Sequence, residues 1–155
     1  MRDPQRKATA VLGVGNLLYG DDGFGPRVAQ ALADEDLGEG VDVIDAGAIG
    51  VDLLDYLTEY RRVIIIDAAD MGVEAGALRV FTPDEVRSLK KGSQLSLHST
   101  DILGVIELGT ALDSPLAEIT VIAVQPELLA PADHLSEKAS AAIPEAVERV
   151  HAMLP

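Results

Sequence analysis

Short continuous apolar runs alternate along the chain with stretches in which apolar residues recur three and four positions apart. These are the patterns of buried strands and of helices packed on them. Residues 9–14 (TAVLGV), 41–44 (VDVI), 62–67 (RVIIID), 76–81 (GALRVF) and 119–124 (ITVIAV) read as strands. The third is a β-branched run of the kind buried on both faces. Phe24, Val28, Ala29 and Leu32 share one helical face, as do Leu53, Leu54 and Leu57. Thr82-Pro83-Asp84-Glu85 reads as a helix start, with Thr82 as cap and Pro83 at the first position. Residues 92–97 read as loop, after which Ser99, Thr100 or Asp101 can cap a helix carrying Ile102, Leu103, Val105, Ile106 and Leu108. Ser136 caps a C-terminal helical stretch that Pro144 breaks or kinks.

Strands alternating with helices predict an α/β fold, a three-layer α/β/α arrangement with a twisted, mostly parallel sheet between helices. No repeat, low-complexity segment or linker divides the 155 residues, so a single domain over 1–155 is expected. In open sheets of this kind ligands bind beyond the carboxyl ends of the strands. The residues to watch are therefore those that directly follow strands.

Composition narrows the chemistry. Apolar residues make up 48% of the chain and aromatics only 3%, so the core must be aliphatic. With no Cys there is no disulfide framework, thiolate nucleophile or cysteine metal site. A net charge of −14 repels phosphate, which argues against nucleic acid and anionic membrane surfaces as partners. A basic peptide or a metal ion is compatible with it, although acidity also serves solubility. The N-terminal MRDPQRK has no apolar h-region behind it, and the longest apolar runs, such as 63–66, are too short to span a bilayer. A soluble, cytoplasmic protein is the expectation.

Four segments carry candidate chemistry. In the first, Gly13-Val14-Gly15-Asn16-Leu17-Leu18-Tyr19-Gly20-Asp21-Asp22-Gly23, a strand runs into a glycine-rich turn ahead of a helix. It looks like a dinucleotide fingerprint, but Leu18 stands where the third glycine belongs, and Asp21 and Asp22 occupy the place where a pyrophosphate needs positive potential. Either carboxylate can instead be a helix cap. In the second, Asp67 follows the 63–66 run; it reads as a site residue at a strand end or as a loop former before Asp70-Met71-Gly72. In the third, His98 precedes a helix start and stands out among three histidines, of which His151 reads as surface. The fourth, Asp45-Ala46-Gly47-Ala48-Ile49-Gly50, reads equally as a glycine turn. If Asp22, Asp67 and His98 converge, they offer carboxylate oxygens and an imidazole nitrogen, a set suited to nickel or zinc with positions left open. No G-x-S-x-G elbow supports serine chemistry.

At these residues the sequence resembles the hydrogenase maturation proteases, the C-terminal processing endopeptidases of nickel–iron hydrogenases. VLGVGNLLYGDDGFGPRV (11–28) resembles the family's GxGNxLxxD[DE]GxG opening, and DAGAIGVDLLDYL (45–57) its DGGTxGxxLL segment. VIIIDAADMG, SLHSTDILGVI, VIAVQPE and HLS follow in order, so the resemblance covers nearly the whole chain. Ala46 and Ala48 stand where the family often has Gly and Thr, and Asp22 where some members have Glu. DDGFGP, DAADMG and AVQPE look closest to the subgroup serving deazaflavin-reducing cytoplasmic hydrogenases.

The resemblance implies a twisted sheet between helices and makes Asp22, Asp67 and His98 both the metal-contacting and the catalytic residues. It implies that the nickel is supplied by the substrate, the precursor of a nickel–iron hydrogenase large subunit, although another divalent metal can occupy the site in vitro. The precursor is cut after nickel insertion, releasing a short C-terminal tail. Two other readings use the same residues. One is a non-cleaving nickel-checkpoint or chaperone protein binding the same precursor. The other is a small nucleotide-binding domain with Asp45 as its ribose acid.

Overall fold

The structure, a computed structural model, describes residues 5–91, 96–97 and 102–155. Its elements follow the hydrophobic pattern closely. The strands are β1 (Lys7–Val14), β2 (Val41–Gly47), β3 (Tyr60–Asp70), β4 (Leu78–Phe81), β5 (Ser96–Leu97) and β6 (Glu118–Val124). The helices are α1 (Phe24–Ala33), α2 (Leu53–Glu59), α3 (Pro83–Lys91), α4 (Ile102–Ala111), α5 (Glu137–Ala141) and α6 (Ile143–Met153). A single 3₁₀ turn, Gly20–Gly23, leads into α1.

The sheet runs β2-β1-β3-β6-β4. The β1–β2, β1–β3 and β3–β6 ladders are parallel, and β4 closes one edge antiparallel to β6. Several strands differ in extent from the sequence reading: β2 continues through Asp45 to Gly47, and β4 begins at Leu78 rather than Gly76. β3 outruns the 62–67 reading at both ends, from Tyr60 to Asp70, and its ladder with β6 pairs Asp67 with Ala123 and Ala68 with Val124. The short β5, within a stretch expected to be loop, pairs antiparallel with Ala69 and Asp70. Asp67 is therefore inside a strand, its backbone paired with Ala123 of β6, rather than in a loop after it.

Side chains on successive strand residues point to opposite faces, and here each face has its own helices. Leu12, Val14, Val63, Ile65 and Val121 pack with Leu53 and Leu57 of α2, Val86 of α3, and Ile102 and Val105 of α4. Val11, Ile64, Ile66 and Ile122 pack with Phe24, Val28 and Leu32 of α1, Ala139 of α5, and Ala146 and Val150 of α6. β-Branched residues dominate β3 because both faces are dry and the strand is central.

Helix starts follow local chemistry. At α3, Glu85 N–H donates to Thr82 Oγ1 at 3.4 Å while Glu85 Oε1 accepts from Thr82 N–H at 3.1 Å, a reciprocal capping box. Ser136 Oγ accepts from Ala139 N–H at 3.2 Å at the start of α5. Pro144 sits in the first turn of α6, so the break it forces falls between α5 and α6. No helix of the described residues is long and apolar enough to cross a membrane.

Candidate active site

The chain leaves β1 for α1 on one face and lays down β2. It then crosses back over β1, by way of α2 on the opposite face, to form β3. The next helices, α3 and α4, cover that same opposite face. The chain thus leaves β1 toward the β2 edge of the sheet and leaves β3 toward the opposite edge, where β6 and β4 lie. This is the switch point at which open α/β sheets form a crevice beyond the strand ends. Asp22 lies in the turn after β1, and Asp67 lies one residue beyond Ile66, which pairs with Gly13 of β1.

Close packing holds the first turn against the sheet. A β-carbon on Gly25 would stand 2.2 Å from the Ile66 carbonyl oxygen and 2.4 Å from that of Val14. One on Gly13 would stand 2.3 Å from the Gly25 carbonyl oxygen. Only glycine lets the start of α1 lie directly on the ends of β1 and β3, so the glycines of the motif serve packing rather than phosphate binding. Gly15 N–H donates to the Gly47 carbonyl at 2.9 Å, tying the end of β1 to that of β2.

Both carboxylates of the turn are buried, Asp21 at 0% and Asp22 at 3% exposure, and neither caps α1. Asp22 Oδ2 accepts the Asn16 N–H at 2.9 Å, folding the turn back on itself. Asp21 faces the segment between β6 and α5 and accepts from the N–H groups of Glu127 (2.8 Å), Leu128 (2.9 Å) and Ser136 (2.7 Å) and from Ser136 Oγ–H (2.8 Å). Burial alone would raise the pKa of Asp21; the hydrogen bonds from Leu128, Glu127 and Ser136 outweigh it and hold the pKa below the ordinary carboxylate value.

Asp67 is fully buried, and its Oδ1 accepts the Ala68 N–H at 2.8 Å. Strand alternation sets it on the face of Val63, Ile65 and Ala69, the face covered by α2, α3 and α4. His98 lies outside the described residues, as does Asp101. Among the described residues no group of three His, Cys, Asp or Glu side chains is arranged to hold a metal ion. Asp45 is in β2 and exposed, His151 is exposed and pairs with Glu35, and His134 is exposed beside Asp133.

Two residues of the site region escape the sequence reading. Gln125, directly after β6, accepts the Met71 N–H on Oε1 at 2.7 Å and donates from Nε2 to Asp70 Oδ1 at 3.2 Å, bracing the end of β3. Ser136 was legible as a cap, but not as a partner of Asp21. The signal for Gln125 was its place after a strand in VIAVQPE; nothing local joins it to Asp70, 55 positions away.

The loops that surround the strand ends, 15–23, 48–52, 71–77 and 125–136, contain Asp21, Asp22, Asp52, Glu74, Glu127 and Asp133 but no Lys or Arg. The potential there favours a cation and disfavours a pyrophosphate. The Asn16 amide, which a phosphate would need, is already taken by Asp22. This geometry argues against the nucleotide-binding reading.

Residues 26–153 match the family model described as hydrogenase maturation protease, a stretch that includes Asp67 and His98. A putative hydrogenase maturation protease of Methanocaldococcus jannaschii is 33% identical over 149 residues, covering 93% of this chain and 94% of the relative. The hydrogenase expression/formation protein HupD of Rhizobium leguminosarum is 33% identical over 124 residues, covering 79% of this chain and 61% of HupD. The match thus spans less than two thirds of that relative's length. The crystal structure of a hydrogenase 2 maturation peptidase from a Thaumarchaeota archaeon superposes with a TM-score of 0.70 at 35% identity, covering 93% of this chain and 95% of the other.

Proposed function

This chain belongs to the hydrogenase maturation protease family, and from that premise we propose that it is an endopeptidase. Its substrate is the nickel-loaded precursor of a nickel–iron hydrogenase large subunit, from which it removes a short C-terminal peptide. The observation that carries the reading is the placement of two buried carboxylates, Asp22 and Asp67, at the β1–β3 switch point, amid loops without a cationic side chain. Such an edge suits the metal that the precursor brings. Asp22, Asp67 and His98 are the residues that meet it, the last on the strength of family resemblance.

The chemistry asked of the chain is amide hydrolysis. A water oxygen bonds to the scissile carbonyl carbon, one carboxylate takes the water proton, the C–N bond breaks, and the proton ends on the leaving nitrogen. The rigid backbone beneath Asp67, paired to β6, and the turn around Asp22 keep both groups in place without reorganisation. Another divalent metal can stand in for nickel in vitro. DDGFGP, DAADMG and AVQPE favour a deazaflavin-reducing type of cytoplasmic hydrogenase as the target, which would put the protein in the cytoplasm.

The test is to incubate the protein with nickel-loaded and nickel-free precursor and weigh the products intact. Loss of a defined C-terminal peptide from the loaded form alone is the expected result. Unchanged mass in both, with a stable complex, would replace the peptidase by the non-cleaving nickel-checkpoint protein.

A further inference from the structure

Of the adjacent pair Asp21 and Asp22, the proposed reaction uses only the second, yet Asp21 is the more buried. Its Oδ1 accepts the Ser136 N–H, and its Oδ2 accepts the N–H groups of Glu127 and Leu128 and the Ser136 hydroxyl. Backbone bonds reinforce the same seam. Asp21 N–H donates to the Leu128 carbonyl at 2.7 Å, Gly20 N–H to that of Ala132 at 3.1 Å, and Ala132 N–H to that of Leu18 at 3.0 Å. The turn that carries Asp22 is therefore laced to the segment 125–136, more than a hundred positions away in sequence.

We propose that Asp21 is a positioning residue that acts through Asp22: its carboxylate locks the 3₁₀ turn onto the β6–α5 segment and so sets where the Asp22 carboxylate stands. This rests on the reading of Asp22 as a group that meets the substrate. The chemistry requires a carboxylate. All four groups facing Asp21 are donors in these bonds, and an ionised carboxylate is acceptor only. An Asn in either orientation sets its NH₂ against an N–H. A misplacement of about 1 Å at a reacting group is enough for a rate loss on the order of 100-fold.

The Asn16 amide reports on Asp22 directly, because it donates to Asp22 Oδ2. Amide hydrogen exchange would be followed by NMR in the full chain and in Asp21→Asn. The expected result is exchange at Asn16 accelerated by about 10-fold or more, with the amides of Ile64 and Val121 in the sheet centre at wild-type rates. In parallel, Asp21→Asn should slow precursor cleavage by about 10-fold or more in the natural chain, and by less than about twofold where Asp22 is already Asn. An unchanged Asn16 rate, or acceleration of every amide by one common factor, would overturn the proposal and leave Asp21 as an anchor of global stability. Should Asp21→Asn not fold, Ser136→Ala removes one bond to Asp21, together with the α5 cap bond from Ala139. It should accelerate Asn16 exchange to a smaller degree, and Ser136→Thr should restore it. If the natural chain leaves the loaded precursor uncut, the peptidase reading fails, while the exchange measurement still decides the positioning.

Discussion

A β-carbon on Gly15 would stand 1.8 Å from the backbone carbonyl oxygen of Asp22. Gly15 also has a φ of +142°, a conformation that L side chains rarely adopt. The turn after β1 doubles back so tightly that its first residue has room for hydrogen alone. Gly15→Ala should therefore destabilise the protein by about 3 kcal/mol, from overpacking and backbone strain together. Urea unfolding gives the value. A shift of a few tenths of a kcal/mol would mean that the turn yields freely and is not a rigid mount for Asp22.

Asp67→Asn changes little in shape but replaces a carboxyl group by an amide in a strand held in ladders with β1 and β6. We expect precursor cleavage to fall by about 100-fold or more, with the far-UV circular dichroism spectrum unchanged. Wild-type cleavage by this variant would remove Asp67 from the mechanism.

Acid should weaken the fold through Asp21. Its pKa in the folded protein lies below the ordinary value of 3.8, so folding favours its ionised form. That stabilisation is fully present above the unfolded pKa and is lost as pH falls through the lower folded one. Urea midpoints measured from pH 6 downward should decline below about pH 4, and the gap between the natural chain and Asp21→Asn should narrow over that window. A gap independent of pH would mean that the charge of Asp21 contributes nothing.

Ile65 is fully buried between β1 and β6, on the face covered by α2, α3 and α4. Ile65→Ala should cost about 3–4 kcal/mol, the transfer term plus the cavity it leaves in a core with few aromatics to collapse inward. The same substitution at exposed Val51 should cost under about 0.5 kcal/mol. Thermal melts of the two variants provide the comparison.

Much of this molecule is written in local pattern. The runs at 9–14, 41–44, 62–67 and 119–124 fall on strands, and 76–81 does so from Leu78 onward. The residues with helical spacing at Phe24, Val28 and Leu32 all pack inward on α1. Thr82, Ser136 and Pro144 act at helix ends as their side chains predict. Periodicity and capping involve neighbours a few positions apart, so a single sequence suffices to read them. The sequence also singles out Asp22 and Asp67 as candidates, because one lies in the glycine-rich turn after the first apolar run and the other at the end of the third.

Tertiary structure alone decided where those carboxylates sit. That Asp67 sits inside β3 depends on β6, whose Ala123 pairs with it across the sheet. That the turn carrying Asp22 and the part of β3 carrying Asp67 lie at the same end of the sheet depends on the chain turning back across β1, which leaves β1 and β3 as neighbours. The division of the Asp21–Asp22 pair was invisible in sequence, because the partners that bury Asp21 are backbone amides at 127, 128 and 136, and any residue but proline supplies an N–H. Local pattern is set by side-chain type, whereas the site is set by which distant backbones the sheet brings within hydrogen-bonding reach.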